Sequence, residues 1–198
     1  MKIVLGVIGL GLLVGCEKSP IHEETREHGG KLSKSSEPTE FEKTKPLAEK
    51  GDPRAQYRLG WMFYNGVDQN GEEVKQDYNE ALKWYRKAAE QGNTLALDSL
   101  GAMYYLGRGV ERDFKKALKW YRKATKQGHA NAQWQLGVMY AKGEGVLKDN
   151  VAAYAWLDVA VANREEGAKS HRTSLAKKMT PDQIAKAEAL AKEMIRKN

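Results

Sequence analysis

Residues 92–128 read GNTLALDSLGAMYYLGRGVERDFKKALKWYRKATKQG, and the landmarks of this stretch recur on both sides of it. The Leu-Gly pair at 100–101 reappears 36 residues later at 136–137, and the Tyr, Gly, Asp, Ala and Trp landmarks keep the same spacing. The matching pair at 59–60 lies 41 residues upstream, so the first copy carries five extra residues. A fixed internal period is the signature of a repeat architecture, and the sequence therefore predicts three tandem copies of one structural unit.

Each copy is predicted to form two helices joined by a turn. In the first helix of the middle copy, apolar side chains fall at helical spacing on one face: Ala96, Leu100, Met103 and Tyr104. Gly101 stands where a larger side chain would hold the partner helix away. The second helix is predicted to begin after Asp113, a good N-cap, and to stop at Gly128, a natural left-handed C-cap. In the first copy, Asp77 and Glu80 form a capping-box-like pair.

These residues resemble the Sel-one-like repeat, a relative of the tetratricopeptide repeat (TPR) with the pattern A-x-x-x-L-G-x-x-Y-x-x-G-x-G-V-x-x-D-x-x-x-A-x-x-W-Y-x-x-A-A-x-x-G. Residues 96–128 follow that pattern with only Thr125 off it, and the resemblance covers about 46–164. Copy three departs at Leu157, after its Trp, and at Arg164, where the terminal Gly would fall, so we expect it to end differently. The resemblance implies an all-α, right-handed α-solenoid of three TPR-like helix-turn-helix repeats that binds other proteins, and it implies no chemistry.

Residues 1–15 have the features of a signal peptide. Lys2 precedes an apolar run over 3–13, which is too short for a stable membrane span but has the length of a signal-peptide core. The run ends at LVGC, a lipobox-like sequence that contains the only cysteine of the chain, Cys16. We expect lipidation of Cys16; a lone structural thiol is the alternative, because one cysteine cannot form an intramolecular disulfide. Glu17 in place of Asp favours sorting to an outer membrane.

The repeats are predicted to lie between a tether and a cap. Residues 16–45 are polar and charged with few large apolar side chains, and they predict a lipidated, disordered tether before the repeats at 46–164. Residues 165–198 predict capping helices, one over 166–178 and a last one that opens with a capping box at 180–183. The last helix carries an apolar stripe: Ile184, Ala187, Leu190, Ala191 and Met194. A helix with one polar face suits the end of a solenoid.

The chain offers little for catalysis or for metal and phosphate binding. The long loop of copy one contains oxygen ligands at Asp68, Asn70 and Glu73, but their spacing is not that of a calcium-binding EF-hand loop. The Gly-x-Gly segments at 107–109 and 143–145 resemble fragments of phosphate loops, yet they recur in phase with the repeat and predict turns. The four histidines are dispersed and no nucleophile motif is present, so we predict no enzyme activity, metal or cofactor. The alternative class is a hydrolase or a β-lactam-binding protein, although the cysteine pairs of β-lactam-binding relatives are lacking.

In the related tetratricopeptide fold, a concave groove is lined by first-helix positions two before, two after and five after the Leu of the Leu-Gly pair. Aromatic residues are frequent at those positions here, and the predicted partner-binding residues are Tyr57, Trp61, Tyr64, Asp98, Tyr105 and Trp134. The three aromatics of the first copy share one stripe, and the opposite stripe, with Leu59 and Phe63, serves the core. Large aromatics on a second face are typical of an interaction surface. The alternative is that Trp61 and Trp134 pack between repeats or under the tether.

A basic ridge is predicted on the second helices, and the net charge of the whole sequence is +7. The members of the ridge recur one repeat apart: Lys83, Arg86, Lys87, Lys119, Arg122 and Lys123. This ridge is either a solvated face or a contact for anionic envelope polymers or lipid headgroups. Nucleic acid is not an expected partner of an exported protein.

The anchor, the tether and the repeats together predict a lipid-anchored module of the bacterial envelope that binds a partner protein in an aromatic groove. The predicted place is the outer membrane, facing the periplasm. A narrower alternative is an immunity protein that neutralises a secreted toxin, such as a type VI lipase. A toxin gene directly beside this one would favour the immunity role.

Overall fold

The computed structural model describes residues 37–197, and within this range the chain is helical apart from turns and an isolated β-bridge between Val67 and Glu73. The helices of this range are α1 (Glu40–Glu49), α2 (Pro53–Asn65), α3 (Tyr78–Glu90), α4 (Thr94–Leu106), α5 (Phe114–Thr125), α6 (Ala130–Lys142), α7 (Asn150–Ala162), α8 (Glu166–Ala176) and α9 (Pro181–Lys197). Helices α2 to α7 form the three two-helix copies, and α8 and α9 follow them as the cap. The predicted all-α solenoid of three repeats with a C-terminal helical cap is confirmed.

Capping residues set the helix boundaries in each copy. Each second helix begins after an aspartate whose carboxylate accepts backbone N–H groups of the first turn: Asp77, Asp113 and Asp149. Each first helix ends at a glycine with positive φ: Gly66, Gly107 and Gly143. The capping box predicted in copy one is only half present, because Asp77 caps the helix while the Glu80 carboxylate lies 2.6 Å from the Lys83 ammonium. Helix α5 ends at Thr125 rather than at Gly128, which lies in the following turn with a φ of 75°.

The two helices of each copy pack closely at the Leu-Gly pair. A Cβ atom on Gly101 would lie 2.6 Å from the ring of Tyr121, which is itself buried. Copy three has Leu157 at the equivalent position, and a Cβ atom on Gly137 would lie 2.7 Å from that leucine. The departure of copy three from the repeat pattern therefore keeps the close approach of the helices and changes only the side chain that makes it.

The core is shared between neighbouring copies. One cluster of buried residues extends from α3 to α6, and its fully buried members include Leu100, Met103, Leu136 and Met139. A second cluster joins α7 to the cap through Leu157, Leu175 and Ala187. Copy one has a smaller cluster around Leu59 that also contains Ala48 of α1. Each two-helix unit thus buries its apolar faces only by stacking on its neighbours, as expected of a solenoid.

Helix α1 begins at Glu40, so the last residues of the stretch predicted as a tether, 16–45, are helical. Thr39 and Glu42 form a reciprocal capping box that starts this helix. The Phe41 ring then packs edge to face on Phe63, with centroids 5.6 Å apart, and Thr44 is buried. The prediction missed the helix because Pro46, which lies inside it, reads as a helix breaker. The predicted signal peptide at 1–15, the lipidation site Cys16 and residues 17–36 lie outside the described residues.

The C-terminal cap agrees with its predicted start signal. The backbone N–H of Gln183 donates to Thr180 Oγ1 at 3.3 Å, and that of Thr180 donates to Gln183 Oε1 at 3.0 Å. Ala187 and Ala191 of the predicted apolar stripe are fully buried. Arg164 has a φ of 66° where the repeat pattern has Gly, so copy three keeps the left-handed turn without the usual residue.

The long loop of copy one is organised by a buried carboxylate. Asp68 is 2% exposed, and its Oδ1 accepts the backbone N–H groups of Asn70 at 2.8 Å and Glu72 at 2.9 Å. These bonds form a local turn of the kind that Asp side chains stabilise. The extra residues of copy one therefore fold back on their own backbone.

Candidate functional site

The predicted groove residues lie on the first helices α2, α4 and α6. All six are partly buried rather than fully exposed or fully buried: Tyr57, Trp61, Tyr64, Asp98, Tyr105 and Trp134. The core face of the same helices carries Leu59, Leu100 and Leu136, which are 0% exposed. The two-face interpretation of the first helices is consistent with this burial, and binding of a partner on the second face stays a prediction.

Two groove tyrosines are held by an equivalent set of contacts. The Tyr64 ring lies 5.3 Å from the ring of Tyr78, and the Tyr105 ring lies 5.3 Å from that of Phe114. Tyr78 and Phe114 are the first residues of their helices, α3 and α5, so each groove tyrosine packs on the second helix of its own copy. The rings are therefore preorganised by aromatic contact rather than free to turn in solvent.

The hydroxyls of the same tyrosines are reached from the next copy. Arg108 Nη1 donates to the Tyr64 hydroxyl at 2.6 Å, and the Tyr105 hydroxyl donates to Glu144 Oε2 at 2.8 Å. Burial and, after it, the bond to Glu144 raise the pKa of Tyr105. Arg108 and Glu144 are the middle residues of the two Gly-x-Gly segments, whose spacing predicts only turns. The middle residue of this turn recurs 36 residues apart, and that recurrence is the sequence signal that could have indicated a contact between copies.

Glycine makes these contacts between copies possible. The loop containing Gly109 comes so close to the start of α3 that a Cβ atom there would lie 2.6 Å from the Tyr78 carbonyl oxygen. A Cβ atom on Gly145 would lie 2.6 Å from the Phe114 backbone in the same manner. Both glycines have positive φ, at 68° and 73°. The Gly-x-Gly segments are inter-helix turns, as predicted, and they also fix each copy against the preceding one.

The centre of the groove combines tyrosine with a partly buried carboxylate. The Tyr57 ring lies 5.7 Å from the Tyr85 ring, and burial, with a smaller effect of the Asp98 charge, raises the pKa of Tyr57. Asp98 Oδ2 accepts from the Asn131 amide at 2.8 Å, whereas Oδ1 has no hydrogen-bond donor among the described residues. Burial raises the pKa of Asp98, and the nearby His129 opposes that shift. The structure thus brings Tyr57 and Asp98, from different copies, into one electrostatic environment.

The two tryptophans of the predicted site lie in different surroundings. Trp61 packs against two of the core clusters, the one that extends from α3 to α6 and the one around Leu59. Trp134 contacts α8 of the cap, where its ring lies 5.4 Å from that of His171 and its Nε1 donates to His171 Nδ1 at 3.3 Å. Part of each indole is therefore used within the fold, in line with the packing alternative.

The basic ridge is also partly used in contacts between copies. Arg86 donates to the hydroxyl of Tyr104 at 2.8 Å, and Arg122 donates to the hydroxyl of Tyr140 at 2.6 Å. The lysines Lys87 and Lys123 lie over the rings of Trp84 and Trp120, at 4.3 and 4.4 Å from the ring centroids. Among the described residues, the ammonium groups of three other lysines on α5 or its end make no ion pair or hydrogen bond: Lys115, Lys119 and Lys126.

Two features bear on cofactors and membranes. Within residues 37–197, no three His, Cys, Asp or Glu side chains come together in a group that could hold a metal ion. None of the helices in that same range has the length and apolar character needed to cross a bilayer.

The Sel1 repeat model matches residues 53–93, 94–129 and 130–163. A solved Sel1 repeat protein from Oxalobacter formigenes is 39% identical with a TM-score of 0.58, over 67% of this chain and 96% of that one. The protective antigen c5321 of uropathogenic Escherichia coli, which displays an SLR fold, is 35% identical with a TM-score of 0.72, over 79% of this chain and 32% of that one. An ERAD-associated E3 ubiquitin-protein ligase component from Arabidopsis thaliana is 36% identical over 95 residues, which are 47% of this chain and 13% of the plant protein. The chain thus spans a minor part of the plant and Escherichia coli proteins and nearly all of the Oxalobacter one.

Proposed function

Because this chain belongs to the Sel1 repeat family, whose repeats are non-catalytic scaffolds for protein–protein interaction, we propose that it is a lipid-anchored module that binds a partner protein in the groove of its first helices. The bound surface comprises Tyr57, Trp61, Tyr64, Asp98, Tyr105 and Trp134. The partner is a protein of the cell envelope, and the module itself carries out no reaction. A secreted toxin as the partner would make it an immunity protein.

The observation that carries this proposal is the row of half-buried tyrosines at Tyr57, Tyr64 and Tyr105. Their rings are held by aromatic neighbours at 5.3 to 5.7 Å, and two of their hydroxyls are held by charged residues of the next copy. Tyrosine is enriched among residues that dominate binding energy, and a ring that is already ordered loses little conformational entropy on binding. The two ridge arginines donate to Tyr104 and Tyr140 within the fold, so their guanidinium groups are only partly available to a partner.

Binding in the groove is tested by comparing two sets of variants against a partner captured from envelope extract. We expect Tyr57→Ala with Trp61→Ala to weaken binding by at least about 2 kcal/mol, because buried aromatic anchors dominate such interfaces. The matched control reverses three unpaired lysines, Lys115→Glu, Lys119→Glu and Lys126→Glu, and should change mainly the association rate. Isothermal titration and surface plasmon resonance measure the two effects.

A second groove variant distinguishes loss of binding from loss of the fold. Ala102→Arg adds a large side chain on the groove face of α4 without removing a core contact, since the same position in copy one is occupied by Trp61. It should weaken binding while the thermal melt stays close to that of the unchanged chain. If the lysine reversal abolishes binding and both groove variants bind normally, the basic face of the second helices is the binding site and the proposal fails.

The proposed anchor is tested at the thiol that would carry the lipid. We expect Cys16→Ser to release the protein from the membrane fraction, because diacylglycerol is then missing and one polar tether has little membrane affinity of its own. Sedimentation after a carbonate wash measures this, with mass spectrometry of the N-terminal peptide to exclude an uncleaved signal peptide. A processed variant that still sediments with membranes would rule out lipidation as the anchor.

A further inference from the structure

The sequence contains two Asn-Gly pairs, at 65–66 and 70–71, and both lie in or beside the long loop of copy one. An asparagine followed by glycine loses its side-chain amide most readily, because glycine has no side chain to keep its backbone nitrogen away from the asparagine carboxamide. The position of Asn65 is occupied by Leu106 in copy two and by Lys142 in copy three, so the pair is confined to copy one. Since the two pairs have the same chemistry, their surroundings decide which of them reacts.

The first pair is held by the end of α2. Asn65 is the last residue of that helix, and its side-chain amide donates to the Trp61 carbonyl oxygen at 2.9 Å. The backbone N–H of Gly66 donates to the Met62 carbonyl oxygen at 2.9 Å and caps the helix. A Cβ atom on Gly66 would lie 3.2 Å from the Cβ atom of Gln76, so the backbone is also packed here. Both groups that would have to react are therefore used by the fold.

The second pair is exposed in the loop. Asn70 and Gly71 are both exposed, and the Asn70 carboxamide makes no hydrogen bond among the described residues. A Cβ atom on Gly71 would have no heavy atom within 4 Å, so the carboxamide has room to approach the glycine nitrogen. The Gly71 N–H donates to the Asp68 carbonyl oxygen at 3.2 Å, across a single turn. Opening one exposed turn costs less free energy than opening the end of a packed helix, so this nitrogen becomes available first.

The loop keeps the second pair in a compact turn without using its reacting atoms. Asp68 Oδ1 accepts the backbone N–H groups of Asn70 and Glu72, at 2.8 and 2.9 Å. These two residues flank Gly71, so the chain is fixed on both sides of the glycine nitrogen. The asparagine side chain and the glycine nitrogen therefore stay close together while the carboxamide itself remains free to turn.

We propose that Asn70 is a modification site at which the side-chain amide is converted to a carboxylate, while Asn65 stays intact. The Gly71 nitrogen attacks the side-chain carbonyl carbon of Asn70, and the new C–N bond closes a cyclic imide. The bond from that carbon to the side-chain nitrogen breaks, and ammonia leaves with the proton that Gly71 gives up. Water then opens the ring at either carbonyl and gives aspartate or isoaspartate, so water is the only co-reactant. The site is independent of whatever binds in the groove.

The product changes the loop in two ways. It adds a negative charge close to the buried Asp68 and to the exposed Glu72 and Glu73, and like charges repel. In isoaspartate the Cβ atom of residue 70 also enters the main chain, so the Glu72 N–H is displaced from Asp68 Oδ1. The bridge between Val67 and Glu73 is then out of register. The modification therefore loosens the loop of copy one.

The test follows both pairs in the full chain, kept in detergent at mildly alkaline pH. Trypsin cleaves after Arg58 and Lys75, so one peptide, 59–75, contains both asparagines. Electron-transfer fragmentation in a mass spectrometer locates the mass increase and separates isoaspartate from aspartate. We expect Asn70 to convert at least about tenfold faster than Asn65 in the folded chain. In urea, where both pairs lose their surroundings, the two rates should agree within about threefold.

Two variants examine the reaction and its consequence. Gly71→Ala should slow the conversion of Asn70 at least about tenfold, because the methyl group hinders the attack of the backbone nitrogen. Asn70→Gln leaves the backbone unchanged and should show no conversion, because its longer side chain closes a ring less readily. After incubation, amide hydrogen exchange at Glu72 should be faster in the unchanged chain and unaltered in Asn70→Gln.

Three results would overturn the proposal. Equal rates for Asn65 and Asn70 in the folded chain would show that the fold does not distinguish the two pairs. A preference for Asn70 that persists unchanged in urea would assign it to neighbouring residues rather than to the structure. An intact Asn70 in the folded chain, over a time in which the urea-unfolded chain converts, would show that the turn protects it.

Discussion

Replacement of Leu100 by alanine is expected to lower the free energy of unfolding by about 2 to 5 kcal/mol. Leu100 is 0% exposed and belongs to the cluster that extends from α3 to α6, so the cavity left by truncation would be bounded by core on both sides. A side chain in the middle of a stacked array supports two interfaces between copies, and both are weakened at once. Urea denaturation followed by circular dichroism measures the change.

Leu190→Ala is the matched substitution in the terminal helix. Leu190 is partly exposed and packs on the smaller cluster around Val159 and Ala191, so its loss should lie near the lower end of the same range. If the free energy of unfolding falls with urea at the same slope for both variants, the difference between their urea midpoints shows which substitution costs more stability. A larger loss for Leu190 than for Leu100 would contradict the idea that stability is concentrated in the middle of the solenoid.

The regular part of the fold could be predicted because each copy repeats the same local signals. Asp113 and Gly107 mark helix ends by capping chemistry that depends only on neighbouring residues, and Leu100 and Gly101 recur in phase with them. Because the three copies are in register, the same helix ends and core positions are indicated three times. The core face of every first helix was therefore predictable, and the structure confirms it.

The irregular parts were not predictable from period alone. Helix α1 precedes the first copy and has no counterpart in the repeat. Its internal Pro46 argues against a helix there, so the capping box of Thr39 and Glu42 was not recognised as a helix start. The end of α5 was placed at Gly128, three residues too late, because the left-handed glycine lies in the turn rather than at the cap. Both errors come from local signals that were given the wrong weight, the internal proline in the first case and the left-handed glycine in the second.

Contacts between copies could not be predicted from the sequence of any one copy. The positions of Tyr64 and Tyr105 followed from the resemblance, but their partners Arg108 and Glu144 lie 44 and 39 residues further along the chain. Nothing in the local sequence states that the middle residue of a turn will reach a tyrosine of the preceding copy. Such contacts become visible only when the copies are stacked.

These contacts link the repeat geometry to the proposed site. The loop that holds Arg108 against Tyr64 is the loop in which Gly109 approaches the backbone of Tyr78. If the loop were displaced, the second copy would lose its fixed distance from the first, and the tyrosine would lose the partner of its hydroxyl. Glycine at this position is thus required both for stacking and for the shape of the groove.

Gly109→Ala should therefore be strongly destabilising, and Gly128→Ala provides the control that isolates the cause. Both glycines have positive φ, at 68° and 75°, but a Cβ atom on Gly128 would have no heavy atom within 4 Å, whereas one on Gly109 would lie 2.6 Å from the Tyr78 carbonyl oxygen. We expect Gly128→Ala to cost about 1 to 2 kcal/mol from the left-handed backbone alone, and Gly109→Ala to cost roughly 1 to 3 kcal/mol more, because the extra methyl group also forces the loop away from α3. Urea denaturation of the two variants measures the difference. Equal losses would show that only backbone strain matters and that the loop does not fix the stacking of the copies.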